Sequence, residues 1–183
     1  VEQVTGYTID RVGLKLSPDG IALKNDSRDP ATFARYADAI KAKANVPLVL
    51  ISNDPAAMSA ALDKVGANRP LIYAANKENW EKMVELAKAH KCPLAVSDSS
   101  GLDALADLAD KVNKAGIEDI VIDPGPQDLG GSLSTLTVLR RLAVNTHGRL
   151  TDGVLIDAPY SQDTASHQDL VFYSYRAAGV EYS

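Results

Sequence analysis

The residues best placed for chemistry are polar ones that each follow a short apolar run. They are Asn25-Asp26, Ser52-Asn53-Asp54, Ala75-Asn76, Ser97-Asp98-Ser99-Ser100, Asp123-Pro124-Gly125 and Asp157. Gathered on one rim, such carboxylates and amides could orient a small ligand or move a proton. Asp26, Asp98, Asp123 and Asp157 also offer the hard oxygen ligands that magnesium prefers. Asn25, Asn53, Asn76, Asp98, Asp123 and Asp157 make up the candidate cofactor-binding rim. The same residue types cap helices and close turns, and capping is the stronger reading for any one of them. No residue stands out as catalytic, and no metal-ligand set is assigned.

Other features point more weakly to chemistry. Ser97-Asp98-Ser99-Ser100-Gly101 before a helix could cradle a phosphate on free N–H groups. It lacks the lysine and spacing of a nucleotide-binding P-loop, so a helix start is the better reading. The residues from Pro124 to about Gly131 read as the longest strand-to-helix loop, with Ser132 as the cap of the helix that follows. His90 falls late in a helix, His147 in a loop beside Gly148 and His167 in the last helical segment, and no pair has metal-motif spacing. Cys92 sits before a strand proline, at the opposite end from the rim, and reads as a half-buried inert thiol. Trp80 heads an apolar helix stripe and reads as core.

These residues must be positioned by alternating elements. The apolar runs are Ile21–Lys24, Leu48–Ile51, Leu71–Ala74, Leu94–Val96, Ile120–Ile122 and Val154–Ile156. Unbroken apolar runs indicate strands buried on both faces, as in a parallel sheet covered by helices. Pro47, Pro70 and Pro93 recur every 23 residues and each opens a strand, a position that needs no ladder donor. Between the runs, apolar residues recur at helical spacing: Phe33, Tyr36, Ala37 and Ile40; Met58, Ala61, Leu62 and Val65; Trp80, Met83, Val84 and Ala87; Leu105, Leu108, Ala109 and Val112. Looser sets follow near Leu133, Leu136 and Leu139, and near Leu170, Tyr173 and Ala177. Asp29-Pro30 and Asp54-Pro55 read as N-caps before a first-turn proline, and Gly116 and Gly179 as helix stops. The fold class is therefore α/β, a (β/α) TIM-barrel type with about six βα units. Eight units and about 250 residues make a complete barrel, so 183 residues are short for a closed one, and truncation, an atypical closure or a partner is the expectation. One domain spans residues 1–183, with residues 1–20 as an N-terminal hairpin extension that turns at Ser17-Pro18-Asp19-Gly20.

Composition narrows the function classes. The net charge is −5, and no basic stripe marks a nucleic-acid footprint. No apolar run approaches the roughly 20 residues that span a bilayer. A single cysteine allows no intrachain disulfide and suits a reducing, cytoplasmic setting. The chain opens Val1-Glu2-Gln3-Val4, without Met and without a signal-peptide layout, which suggests a processed chain or an internal fragment.

Several phrases taken together resemble a known family. They are Gly20-Ile21-Ala22-Leu23-Lys24-Asn25, Pro47-Leu48-Val49-Leu50, Arg69-Pro70-Leu71-Ile72-Tyr73-Ala74-Ala75, Asn79-Trp80-Glu81-Lys82-Met83, Cys92-Pro93-Leu94-Ala95-Val96 and Asp119-Ile120-Val121-Ile122-Asp123-Pro124-Gly125. In order and content they resemble the large subunit of the corrinoid/iron–sulfur protein, also called the gamma subunit of the acetyl-CoA decarbonylase/synthase complex. The resemblance covers roughly residues 10–145. It implies a methyl carrier of the reductive acetyl-CoA (Wood–Ljungdahl) pathway of one-carbon metabolism. Family members carry an N-terminal four-cysteine iron–sulfur (4Fe–4S) domain, a central TIM barrel and a C-terminal corrinoid (cobalamin-type) domain. They pair with a small barrel subunit and pass a methyl group from methyltetrahydropterin to acetyl-CoA synthase.

This chain departs from the whole subunit. One cysteine cannot hold the cluster, and no Asp-x-His-x-x-Gly corrinoid signature is present. What remains resembles the central barrel, so no cofactor is expected on this chain alone, and corrinoid and cluster belong to the parent protein. The partners implied are the small barrel subunit, a methyltransferase and acetyl-CoA synthase. The leading expectation is a scaffold that docks cofactor domains and a partner subunit. Two alternatives stay open: a stand-alone pterin-dependent methyltransferase-like barrel enzyme using the Asn/Asp rim, and a phosphate-ligand barrel enzyme using Ser97–Gly101.

Overall fold

A computed structural model describes residues 1–147. A short helix α1 (Glu2–Thr5) precedes a hairpin of β1 (Ile9–Arg11) and β2 (Leu14–Leu16). Five strand–helix pairs follow: β3 (Ile21–Lys24) and α2 (Pro30–Lys43), β4 (Leu48–Ile51) and α3 (Pro55–Val65), β5 (Leu71–Ala75) and α4 (Trp80–His90), β6 (Leu94–Ser97) and α5 (Leu102–Lys114), β7 (Ile120–Asp123) and α6 (Leu129–His147). The expected sixth unit, with Val154–Ile156, Asp157, His167 and Gly179, lies outside the described residues.

The five strands form one parallel sheet in the order β3-β4-β5-β6-β7. Each crossover moves one strand along in the same direction. With right-handed connections, that order keeps the helices on one side of the sheet. A doubly wound fold would reverse direction and place helices on both sides. The arrangement is barrel-like but unclosed among the described residues, with β3 and β7 as its two edges.

Side chains alternate along each strand. Ile21, Leu23, Leu48, Leu50, Ile72, Leu94 and Val96 pack into the helix-side core with Phe33, Met58, Leu62, Met83, Leu105 and Val112. The registers Ala22↔Val49, Ile51↔Tyr73 and Ser97↔Asp123 place the alternate residues on the other, inner face. Val49, Ile51, Leu71, Tyr73 and Val121 there are only partly covered. The expectation of strands buried on both faces is thus met in the centre of the sheet, where Ala95 of the inner face is fully buried, and only in part elsewhere: the inner-face residues just named are half-covered, and Ile122 on the helix side of the edge strand β7 is 40% exposed. The inner face of a barrel is filled by strands from across the circle, and five strands do not complete it.

Several local expectations need correction. The hairpin turns at Val12-Gly13, where both residues have positive φ (51° and 77°), as a two-residue hairpin turn requires. Ser17–Gly20 is instead the link to β3, which pairs in parallel with β4. Tyr36 is 52% exposed beneath the Arg35 guanidinium, and Ala34 takes its place in the core. Helix α6 starts at Leu129, so the preceding loop is only residues 124–128, and Gly130 and Gly131 lie in the first helical turn. Its cap is Asp128, whose Oδ1 accepts from the Gly131 amide at 2.6 Å; Ser132 is inside the helix. His147 ends this helix rather than lying in a loop.

The Asp-Pro starts behave as expected. The Asp29 carboxylate accepts from Ala31 and Thr32 amides, and that of Asp54 from the Ala56 amide. The hydrogen bonds to Thr32 hold the Asp29 carboxyl below its usual range. Cys92 is more deeply buried than expected, with Sγ near the carbonyls of Gly66 and His90. Burial pushes its thiol up to about 11, against the weaker opposing pull of Arg69. Only the thiolate alkylates readily. In native protein at pH 8, iodoacetamide should leave Cys92 intact while urea-unfolded chain reacts fully; mass spectrometry reads both, and native labelling at the unfolded rate would contradict the buried thiol.

Candidate functional site

The polar residues after each strand do come together at the C-terminal edge of the sheet. Their backbones continue the ladder beyond the strand ends. Asn25 N–H donates to Ile51 O, Ser52 N–H to Tyr73 O and Asp98 N–H to Asp123 O. The rim is therefore a connected edge, and the side chains decide what it can do.

Asp123 is the deepest of them, 5% exposed. Its Oδ2 accepts from the hydroxyls of Tyr73 and Ser97, the latter at 3.0 Å, and its Oδ1 from the Gly125 amide at 2.9 Å. One carboxylate thus ties β5, β6, β7 and the following loop. Three donors occupy it, so it anchors the rim and leaves little capacity for proton transfer to a ligand.

Asp98 has a nearly buried side chain. Its Oδ1 accepts from the Ser100 amide at 2.8 Å, and the Lys77 ammonium lies 3.1 Å from Oδ2. Lys77 also donates to the Ser100 hydroxyl at 3.0 Å. The Ser100 hydrogen bonds, with a smaller contribution from Lys77, hold this carboxyl below its ordinary range. A group whose pKa is lower in the folded state contributes stability above its unfolded value and loses it as pH falls through the folded one. Asp98→Asn should therefore flatten the acid limb of a plot of urea midpoint against pH, below about 3.9. An unchanged acid limb would show that the carboxyl titrates alike in both states. Asp98 also takes the Ser100 N–H that a phosphate on Ser97–Gly101 would need, which weakens the phosphate reading.

Asn76 closes its own loop: its Oδ1 accepts from the amides of Glu78 and Asn79 at 2.9 and 3.1 Å. Asn79, absent from the predicted set, is the buried connector. Its Oδ1 accepts from Asn76 N–H, and its Nδ2 donates to Asn53 O and Ala74 O. Asn53 thus contributes its backbone carbonyl, and its side chain is exposed. The Asn25 carboxamide accepts from the Ser27 hydroxyl at 3.1 Å. Asp157 lies outside the described residues. Asp26 pairs with Lys24 at the exposed surface. Among the described residues, no group of three or more His, Cys, Asp or Glu side chains converges as metal ligands, and Asp26, Asp98 and Asp123 do not gather as one.

Tyr73, Lys77 and Asn79 were missed because their partners are far along the chain or inside a loop. Tyr73 reaches a carboxylate 50 residues on. The only sequence hint was period two: Tyr73 and Ser97 stand on the inner face at the strand ends, beside Asp123.

One depression on the rim could take a ligand. It measures about 440 Å³ over the ends of β3 and β4, lined by Lys24, Asn25, Arg28, Ile51, Ser52, Asn53 and Asp54. It gathers two of the predicted residues, Asn25 and Asn53, beside two cations. A second cleft, about 330 Å³, lies beside α4 and α5 and is lined by Trp80 with Lys77, Asp107 and Lys111. Among the described residues, no helix is long and apolar enough to cross a membrane.

Comparison with known proteins bears on the chain as a whole. The chain is 38% identical over 149 residues to a protein of Moorella thermoacetica named corrinoid/iron–sulfur protein large subunit, covering 81% of this chain and 33% of that one. It is 37% identical over 146 residues to the acetyl-CoA decarbonylase/synthase complex subunit gamma of Methanothermobacter thermautotrophicus, covering 78% and 32%. The corresponding gamma subunit of Methanosarcina acetivorans is 41% identical over 133 residues, covering 73% and 28%. The chain therefore spans about a third of the length of these curated relatives. A family model described as CO dehydrogenase/acetyl-CoA synthase delta subunit matches residues 1–168. That match takes in the hairpin and all five strand–helix pairs, and the chain belongs to the CO dehydrogenase/acetyl-CoA synthase delta subunit family.

Proposed function

We propose that this chain is the barrel-type scaffold segment of a corrinoid/iron–sulfur methyl-carrier subunit in an acetyl-CoA decarbonylase/synthase complex. It would dock the cofactor domains and the small barrel subunit while a methyl group passes from methyltetrahydropterin to acetyl-CoA synthase. Residues 1–183 act as one barrel-type unit with a hairpin extension at 1–20, in the cytoplasm. The observation that carries this reading is the state of the rim. Asp123, Asp98, Asn76 and Asn79 are engaged in caps and cross-strand ties. A rim committed to its own architecture suits a platform.

The cofactor chemistry fits segments outside this chain. A 4Fe–4S cluster takes four cysteine thiolates; this chain has one cysteine, and burial keeps its thiol protonated. The partners of the chain's surface would be the small barrel subunit, the methyltransferase and acetyl-CoA synthase.

The rim depression favours a second reading, a stand-alone pterin-dependent barrel enzyme, because Lys24 and Arg28 flank the amides of Asn25 and Asn53 there. Calorimetry with methyltetrahydrofolate and size exclusion with the small barrel subunit separate the two. The scaffold reading expects a stable complex with the subunit and no pterin heat below millimolar concentration. A monomeric elution beside the subunit, together with micromolar pterin binding, would overturn it in favour of the enzyme.

A further inference from the structure

Among the described residues, the β1–β2 hairpin carries an apolar surface that its own fold leaves uncovered. Its register pairs Ile9 with Leu16 and Arg11 with Leu14 on one face, and Asp10 with Lys15 on the other. Three of the four residues on the first face are apolar, yet Ile9, Leu14 and Leu16 are 40%, 66% and 41% exposed. A two-stranded hairpin is marginal in water unless a face packs on something. A contiguous exposed apolar face of this kind marks a contact.

Its location limits what within the chain could cover it. Residues 17–20 join β2 to the N-terminal end of β3, and four residues reach at most roughly 14 Å. Gly20 is held there by close approach: a Cβ would lie 2.7 Å from Pro47 O, which also accepts from Ile21 N–H. On the other side of the hairpin, Glu2 pairs with Lys43 at the end of α2, just before β4. Both flanks are therefore based at the N-terminal end of the sheet. At that end the inner face carries Val49, Leu71 and Val121, all only partly covered. A short tether raises the effective concentration of two surfaces on one chain to about millimolar, ahead of an external competitor.

We propose that the β1–β2 hairpin is a plug that folds over the N-terminal mouth of the sheet, seating Ile9, Leu14 and Leu16 on the inner layer of Val49, Leu71 and Val121. It leaves the rim at the other end free and closes the apolar inner layer from below.

Cysteine pairing tests this on the full chain. In a Cys92→Ala background, Leu14→Cys with Leu71→Cys should give an intramolecular disulfide on mild oxidation, read by mass and non-reducing gel. Lys15→Cys with Leu71→Cys, from the opposite hairpin face, should link at least several-fold less. Equal linking of the two pairs, no linking, or disulfide dimers only would overturn the plug, and dimers would name a second copy as the occupant. Trypsin gives a readout independent of those variants, since Arg11 and Lys15 lie within the hairpin. Cleavage there should be at least ten-fold slower in the native chain than in Leu14→Asp. Equal rates would mean that the hairpin face is free.

Discussion

Asp123→Ala should lower unfolding stability by about 2–4 kcal/mol and collapse the rim that the functional reading depends on. Three donors converge on this buried carboxylate: the Tyr73 and Ser97 hydroxyls and the Gly125 amide. Hydrogen bonds to a charged acceptor each contribute about 1.5–3 kcal/mol, and each buried donor left unpaired costs about 1–3 kcal/mol. Those losses do not sum, because the hydroxyls can rotate and water can enter beside a truncated side chain. Urea denaturation reads the change. A double-mutant cycle sharpens it: Ser97→Ala with Asp123→Ala should destabilise less than the two single variants added together, since both remove the same bond. Strict additivity, or a loss below about 1 kcal/mol, would show that the carboxylate does not hold β5, β6 and β7 together. Because the tie lies at the rim, the same variant should weaken association with the small barrel subunit if that edge is the docking surface.

How much of this could be read from residues alone follows from how local each interaction is. Strands β3 to β7 were legible because each runs as an unbroken apolar stretch, three of them directly after Pro47, Pro70 and Pro93. The caps at Asp29 and Asp54 were legible because an N-cap and its first-turn proline are neighbours in sequence. The hairpin turn was not. Val12 at positive φ is a poor local choice, while Pro18-Asp19-Gly20 is a strong turn signal that in fact serves as a link. Gly130-Gly131 disguised the start of α6 in the same way, since glycine disfavours a helix that Asp128 nonetheless caps. The rim positions themselves were foreseeable, but not their engagement. Asp123 meets hydroxyls from residues 50 and 26 positions away, and Asn79 meets a carbonyl 26 positions away. Only the packing of consecutive parallel strands brings such partners within reach.

The helix layer offers the larger loss and a useful contrast. Phe33→Ala should destabilise the chain by about 3–5 kcal/mol, the range for emptying an aromatic site in a packed core. Phe33 is 2% exposed on α2, which packs most extensively against α3. Its pocket is framed by helices that cannot collapse without giving up their own contacts with the sheet, so a cavity should persist. Against a total of about 5–15 kcal/mol for an ordinary domain, that loss leaves a marginal fold, visible as a lower urea midpoint with an unchanged slope. Strands β3 and β7 are the two edges of the sheet, so Phe33, on the helix after β3, and Asp123, at the end of β7, share no strand. Their effects should add within about 0.5 kcal/mol. At a temperature where Phe33→Ala remains folded, its affinity for the partner subunit should equal that of the parent chain, whereas Asp123→Ala should bind more weakly. Equal weakening by both variants would mean that overall stability, and not the rim, governs docking. A loss below about 1.5 kcal/mol for Phe33→Ala would place the core elsewhere than between α2, α3 and the sheet.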